Sequence, residues 1–123
     1  MGEKKILVIE DNPMNMELVS DLLEINGYEV LKAKSGLEMF EIIGSIATVP
    51  DLILMDVQIP ETDGLTLTKW LKENPLTRDI PIIALTAHAM KGDREKALEA
   101  GCVDHIPKPI NTREFVNKIS KFL

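Results

Sequence analysis

The chain has 123 residues, a formal net charge of −6 and a single cysteine, enough for one domain that buries its own core without disulfide staples. The acidic balance and the lack of a Lys/Arg cluster exclude binding nucleic acid through its phosphate backbone and leave basic, apolar or metal-bearing partners. Cys102 has no mate for an internal disulfide, no signal peptide is present and no apolar run approaches about 18 residues, which predicts a reducing, aqueous, cytoplasmic setting.

Short apolar runs alternate five times with amphipathic segments and no linker intervenes, the pattern of β/α units around a parallel sheet. Lys5 to Ile9 reads as the first strand. Asn12 then caps a helix with Pro13 in its first position and Leu18, Val19, Leu22 and Leu23 as its apolar stripe, ending at Asn26-Gly27. Tyr28 to Ala33 is the second strand. Ser35 and Glu38 form a capping box for a helix whose Leu37, Phe40, Ile43 and Ile46 face the sheet, and Pro50 stops it.

Asp51 to Asp56 is the third strand and the most apolar stretch of the chain. The third helix starts near Asp63-Gly64, turns Leu67, Trp70 and Leu71 inward, and ends at Asn74-Pro75, since proline disfavours helical geometry in the residue before it. Pro81 to Thr86 is the fourth strand. The fourth helix, Met90 to Ala100, has only Met90, Ala97 and Leu98 for a core face and is the least firmly anchored. Val103 to Ile106 is the fifth strand. Asn111 with Glu114 caps a last helix carrying Phe115, Val116, Ile119, Phe122 and Leu123. The whole chain, 1–123, is thus expected to be one doubly wound α/β domain with a five-stranded parallel sheet, leaving no residues for an output domain.

In such a sheet, reactive groups collect at the carboxyl ends of strands, beside the point where strand order reverses. Four strand ends here deliver a polar group: Glu10-Asp11, Asp56, Thr86 and Lys108. The three acids would repel one another by about 4 kcal/mol per close pair at an effective dielectric of about 20. A divalent cation held by oxygen ligands relieves that repulsion and leaves a carboxylate oxygen free to attack phosphorus.

The Glu10-Asp11 pair, Asp56 with Pro60 and Gly64 behind it, Thr86-Ala87 and Lys108-Pro109 stand in an order and spacing that resembles the CheY-like receiver domains of two-component response regulators. The resemblance covers essentially the whole chain. Asp51 to Leu71 and Thr86 to Ile110 look especially like a single-domain regulator of cell division in that family. It implies a sheet of order 2-1-3-4-5 and a signalling protein that catalyses its own phosphorylation and dephosphorylation. Asp56 would accept a phosphoryl group from a histidine kinase or a histidine phosphotransfer protein. Asp11, Asp56 and the backbone carbonyl of Gln58 would hold Mg²⁺ or Mn²⁺ directly, with Glu10 acting through water. Lys108 would be the second cation on the phosphoryl oxygens, with Mg²⁺ opposite.

The same resemblance implies a cis peptide before Pro109. It makes Thr86 a switch whose hydroxyl moves to the phosphoryl group, coupled to a ring in the last strand. That position, commonly Tyr or Phe, is His105 here. His105 either keeps the role as a flat ring, one that titrates near neutrality, or is an exposed polar residue. Gln58 and His88 would border the path of attacking water and set the lifetime of the phosphoaspartate; the plainer reading makes them solvated loop residues. The downstream partner would bind helix four, strand five and helix five.

Other classes fit less well. A dehalogenase-like phosphatase wants a second acid two residues after the nucleophile, where this chain has Gln58. Flavin or dinucleotide binding wants a Gly/Ser/Thr-rich loop after strand one, and Glu10-Asp11-Asn12-Pro13 would repel a phosphate. A receiver cut from a hybrid kinase or larger regulator, and a binding module that is never phosphorylated, are the remaining alternatives. Trp70, the scattered methionines and Cys102 read as packing residues.

Overall fold

The computed structural model describes residues 4–45, 49–58, 63–86 and 92–123. The elements run β1 (Lys5–Ile9), α1 (Pro13–Ile25), β2 (Glu29–Ala33), α2 (Gly36–Ser45), β3 (Leu52–Asp56), α3 (Gly64–Glu73), β4 (Ile82–Thr86), α4 (Asp93–Ala100), β5 (Asp104–Pro107) and α5 (Thr112–Lys121). All strands are parallel, in the order β2-β1-β3-β4-β5. The chain steps outward from β1 to β2 and then back across to β3, so strand order reverses between the ends of β1 and β3. That crevice is where this topology places a ligand.

β3 and β4 are buried at every position, as near-continuous apolar runs in a parallel sheet require when helices cover both faces. One face packs Leu7, Ile9, Ile53, Met55, Ile82 and Ala84 against Met39 of α2, Leu67 and Leu71 of α3 and Ala97 of α4. The other packs Ile6, Val8, Leu52, Leu54, Ile83 and Leu85 against Met16, Val19 and Leu23 of α1 and Phe115 and Ile119 of α5. Each such Val, Leu, Ile, Met or Phe side chain contributes about 1.5–3 kcal/mol of burial.

The caps form where the sequence places them. Asn12 Oδ1 accepts from the N–H of Met14 and Asn15, Asp63 Oδ1 from Leu65, and Asn111 Oδ1 from Glu114. Ser35 Oγ accepts from Glu38 N–H, but the Glu38 carboxylate reaches back to the N–H of Lys34 rather than to that of Ser35.

Three helices turn a different stripe inward from the one expected. In α1 the buried residues are Met16, Val19, Ser20 and Leu23, and Leu18 is exposed. In α2 Gly36 and Met39 are buried while Leu37 and Phe40 face out. In α3 Gly64, Leu67, Thr68 and Leu71 are buried, and Trp70 is 42% exposed, edge-on to Phe40 with ring centroids 4.6 Å apart. The buried stripe of α1 or α3 is an i, i+3, i+4, i+7 set containing one small hydroxyl residue, and Thr68 Oγ1 satisfies itself on the Gly64 carbonyl of its own helix. Cys102 is buried, with burial raising its thiol pKa. The described part of α4 is short, and Ala97 and Ala100 are its buried residues, Leu98 being half-buried. The expected contributions of Ile46 and Met90 lie outside the described residues. No helix among the described residues is long and apolar enough to cross a membrane.

Candidate functional site

β1 and β3 end side by side, with Ile9 in register with Met55, so the residues that follow them meet at one edge of the sheet. Glu10 still belongs to the ladder, its N–H donating to Ala33 O, and its side chain is buried. Asp56 is the last residue of β3 and is 2% exposed. Asp11 begins the loop into α1 and is exposed. Carboxylate oxygens of Glu10, Asp11 and Asp56 all lie within 4.8 Å of one another.

Lys108 enters from the far side. Its N–H donates to Thr86 O at 2.7 Å, which fixes it at the end of β4, and the peptide that follows it, to Pro109, is cis. Its Nζ is 2.9 Å from Glu10 Oε1 and 3.2 Å from Asp56 Oδ2. Asp56 Oδ1 accepts the N–H of Gln58 and Glu10 Oε2 accepts that of Asn12. Both carboxylates are therefore held in fixed rotations before anything binds.

The electrostatics are those of a crowded acid pocket. Burial and the neighbouring Asp56 carboxylate push Glu10 up to about 7, against the opposing pull of Lys108. Burial alone would lower the Lys108 pKa, but its ion pairs with Glu10 and Asp56 outweigh that and raise it. An all-oxygen donor set whose crowded charge raises the pKa of one acid suits a hard divalent cation, which would take the place of that proton, and Glu10, Asp11 and Asp56 fit such an ion.

Thr86 closes β4, its Oγ1 buried without a hydrogen-bond partner among the described residues. His105 is half-buried on β5 in register with Ala84, so its side chain shares a sheet face with those of Ala84 and Thr86. The His105 carbonyl accepts Lys118 Nζ at 2.8 Å. Gln58 is exposed and pairs with Asp63 in an isolated antiparallel bridge. His88, Pro60 and Ala87 lie outside the described residues. The sequence reading missed Asn12 as a brace for Glu10; its N-cap signal was visible, but the backward bond from its own N–H was not.

A buried acid at the switch point, flanked by an acid pair and a lysine just past the last strand, defines a phosphorelay receiver, and the chain belongs to the response regulator receiver domain family, which it matches over residues 6–120. Among characterised proteins it is similar to the polar-differentiation response regulator DivK of Brucella ovis, with 47% identity over 120 residues spanning 98% of this chain and 96% of that one. A solved putative response regulator from Chloroflexus aurantiacus superposes with a TM-score of 0.92 at 32% identity, covering 98% of each chain. The receiver domain of the sensor histidine kinase PA1611 of Pseudomonas aeruginosa, solved with a magnesium ion coordinated in its active site cleft, gives 0.86 at 34% identity, again over 98% of each. The protein is a signalling receiver of the two-component class.

Proposed function

We propose that Asp56 is the phosphoacceptor and that its modification switches partner binding. The observation that carries this reading is the buried Asp56 carboxylate, held between the Glu10-Asp11 pair and an ammonium 3.2 Å away. A carboxylate oxygen of Asp56 attacks the phosphorus of a partner's phosphohistidine. The P–O bond forms as the P–N bond breaks, and the departing imidazole nitrogen takes up a proton. Mg²⁺ or Mn²⁺ bound by Asp11, Asp56 and the Gln58 carbonyl, with Glu10 behind them, supplies positive charge to the equatorial oxygens. Lys108 neutralises another of them, leaving Glu10 to do so, and the Thr86 hydroxyl donates to a third. Gln58 and His88 set how readily water reaches the product.

The donor is a histidine kinase or a histidine phosphotransfer protein, met in the cytoplasm. Met14 and Leu18, exposed on α1 next to the acid loop, give such a partner an apolar foothold. Phosphate biases a two-state equilibrium only through contacts stronger in one state, here those of Thr86 and Lys108. Thr86 passes the change to His105, and α4, β5 and α5 present it to the downstream protein.

Incubation with acetyl phosphate and Mg²⁺ followed by intact mass tests the assignment. Wild type should gain one phosphoryl group, roughly 80 Da, and Asp56→Asn none. An equal gain in both proteins would place the chemistry elsewhere.

A further inference from the structure

We propose that Gly64 is a positioning residue for the reaction at Asp56, because only a residue without a side chain lets the start of α3 rest on the peptide that follows the phosphoacceptor. The proposal rests on the reading of Asp56 just given. A Cβ at Gly64 would overlap the Asp56 carbonyl oxygen and stand 2.7 Å from Val57 Cα and 3.0 Å from the Asp56 carbonyl carbon. Gly64 is not among the positive-φ glycines, which are Gly27, Gly92 and Gly101, so the requirement is space and not backbone conformation. The other described glycines differ in kind. A Cβ at Gly36 or Gly101 meets the side chain of Leu67 or Lys72, and one at Gly27, Gly44 or Gly92 meets nothing within 4 Å. Gly64 alone among them abuts backbone, and that backbone carries the reactive carboxylate.

The close approach links the core to the pocket. Leu67 and Leu71 anchor α3 in the sheet-facing cluster, and Thr68 Oγ1 donates to Gly64 O at 3.0 Å. Gly64 N–H donates to Val57 O at 3.2 Å, and Asp63 pairs with Gln58. The Gln58 N–H in turn holds Asp56 Oδ1 at 2.9 Å. The first turn of α3 therefore sets the Gln58 peptide, and that peptide sets two things: the rotation of the Asp56 carboxylate and the direction of the carbonyl offered to the cation. Adding a methyl group forces α3 away from Val57 by about 1 Å, a misplacement of the size that costs on the order of 100-fold in a positioned reaction.

The test compares Gly64→Ala with Gly36→Ala, which disturbs α2–α3 packing without touching Asp56, and with Asp63→Ala, which removes the cap on Leu65 from an exposed position without adding bulk beside Val57. Three readouts apply: the Gln58 backbone amide by NMR without metal or donor, the Mg²⁺ dissociation constant from amide shifts, and the rate of phosphoryl uptake from acetyl phosphate. Folded Gly64→Ala should move the Gln58 amide, weaken Mg²⁺ about 10-fold and slow uptake about 100-fold, while Gly36→Ala keeps the amide position and stays within about twofold in Mg²⁺ affinity. Wild-type values in Gly64→Ala, or the same losses in Gly36→Ala, overturn the proposal. If Gly64→Ala does not fold, Asp63→Ala decides: Mg²⁺ binding weakened at least about threefold supports the proposal, and an unchanged constant overturns it. A wild type that takes up no phosphoryl group sinks the Asp56 reading instead, while the metal-free Gln58 amide still judges Gly64.

Discussion

Lys108 Nζ lies 2.9 Å from Glu10 Oε1, closer than the 3.2 Å that separates it from Asp56 Oδ2. The ammonium is thus shared between Glu10 and the proposed phosphoacceptor Asp56, and it competes with any cation for the same oxygens. Removing the ammonium alone, in Lys108→Met, should tighten Mg²⁺ binding, because a positive charge beside the ligands is gone. It should also slow phosphoryl uptake, because a charge on the phosphoryl oxygens is gone with it. A buried pair left without its partner typically costs about 3–5 kcal/mol, and Glu10 recovers part of that by taking a proton. Calorimetric Mg²⁺ titration beside intact-mass kinetics checks both directions; weaker binding and slower uptake together would mean that Lys108 merely props the loop.

Glu10 makes the metal-free protein pH-sensitive with a definite sign. Its folded pKa of about 7 lies above the ordinary carboxylate value of 4.5, so between those values the folded state holds a proton that the unfolded state has released. The stabilisation is fully present below about 4.5 and disappears as pH rises through about 7. In EDTA the melting temperature should therefore be higher at pH 5.5 than at pH 8, and Glu10→Gln, which mimics the protonated acid, should flatten that difference. Mg²⁺ needs the carboxylates ionised, so its stabilising effect should run the other way and grow from pH 5.5 to 8. Melts with and without Mg²⁺ at the two pH values read both slopes.

β1, β3 and β4 and the convergence of Glu10, Asp11, Asp56 and Lys108 were legible because buried parallel strands are short apolar runs whose ends share one edge of the sheet, whereas β2 and β5, with one buried residue each, were legible from their place in the alternation. The helix faces were less legible, for a physical reason visible in α1 and α3. Each gives an inward place to a hydroxyl residue, Ser20 or Thr68, and leaves a large apolar side chain, Leu18 or Trp70, outside. Hydropathy ranks those pairs the wrong way round. Close helix packing favours the small residue, and Thr68 pairs its hydroxyl within its own helix. The tie from Gly64 through Gln58 to Asp56 could not be read at all, since a glycine in the first position of a helix has no signal that distinguishes close approach from a turn.

Trp70 and Leu71 are neighbours in α3 with opposite surroundings: Trp70 is 42% exposed and touches Phe40, while Leu71 is fully buried. Leu71→Ala should cost about 2–5 kcal/mol, as core truncations do. Trp70→Ala should cost only about 1 kcal/mol, since it gives up one edge-on aromatic contact and a partly wetted surface. Urea denaturation of the two variants gives the comparison directly, and a tryptophan loss equal to the leucine loss would contradict the exposed placement of Trp70.

Thr86 should show a stability gain bound to a loss of signalling. Its Oγ1 is buried without a partner among the described residues, and an unsatisfied buried hydroxyl typically costs about 1–3 kcal/mol. Thr86→Val keeps the branched shape and removes that oxygen, so the unphosphorylated protein should become about 1 kcal/mol more stable in urea. Phosphoryl uptake at Asp56 should persist, but amide exchange in α4 and β5 should no longer change on treatment with acetyl phosphate and Mg²⁺, because the contact that favours the switched state has gone. The two effects would have one cause, a hydroxyl that is unpaired among the described residues and free to donate to a phosphoryl oxygen. A destabilised Thr86→Val would show instead that the hydroxyl is already bonded in the resting protein, and the proposed coupling to His105 would fall with it.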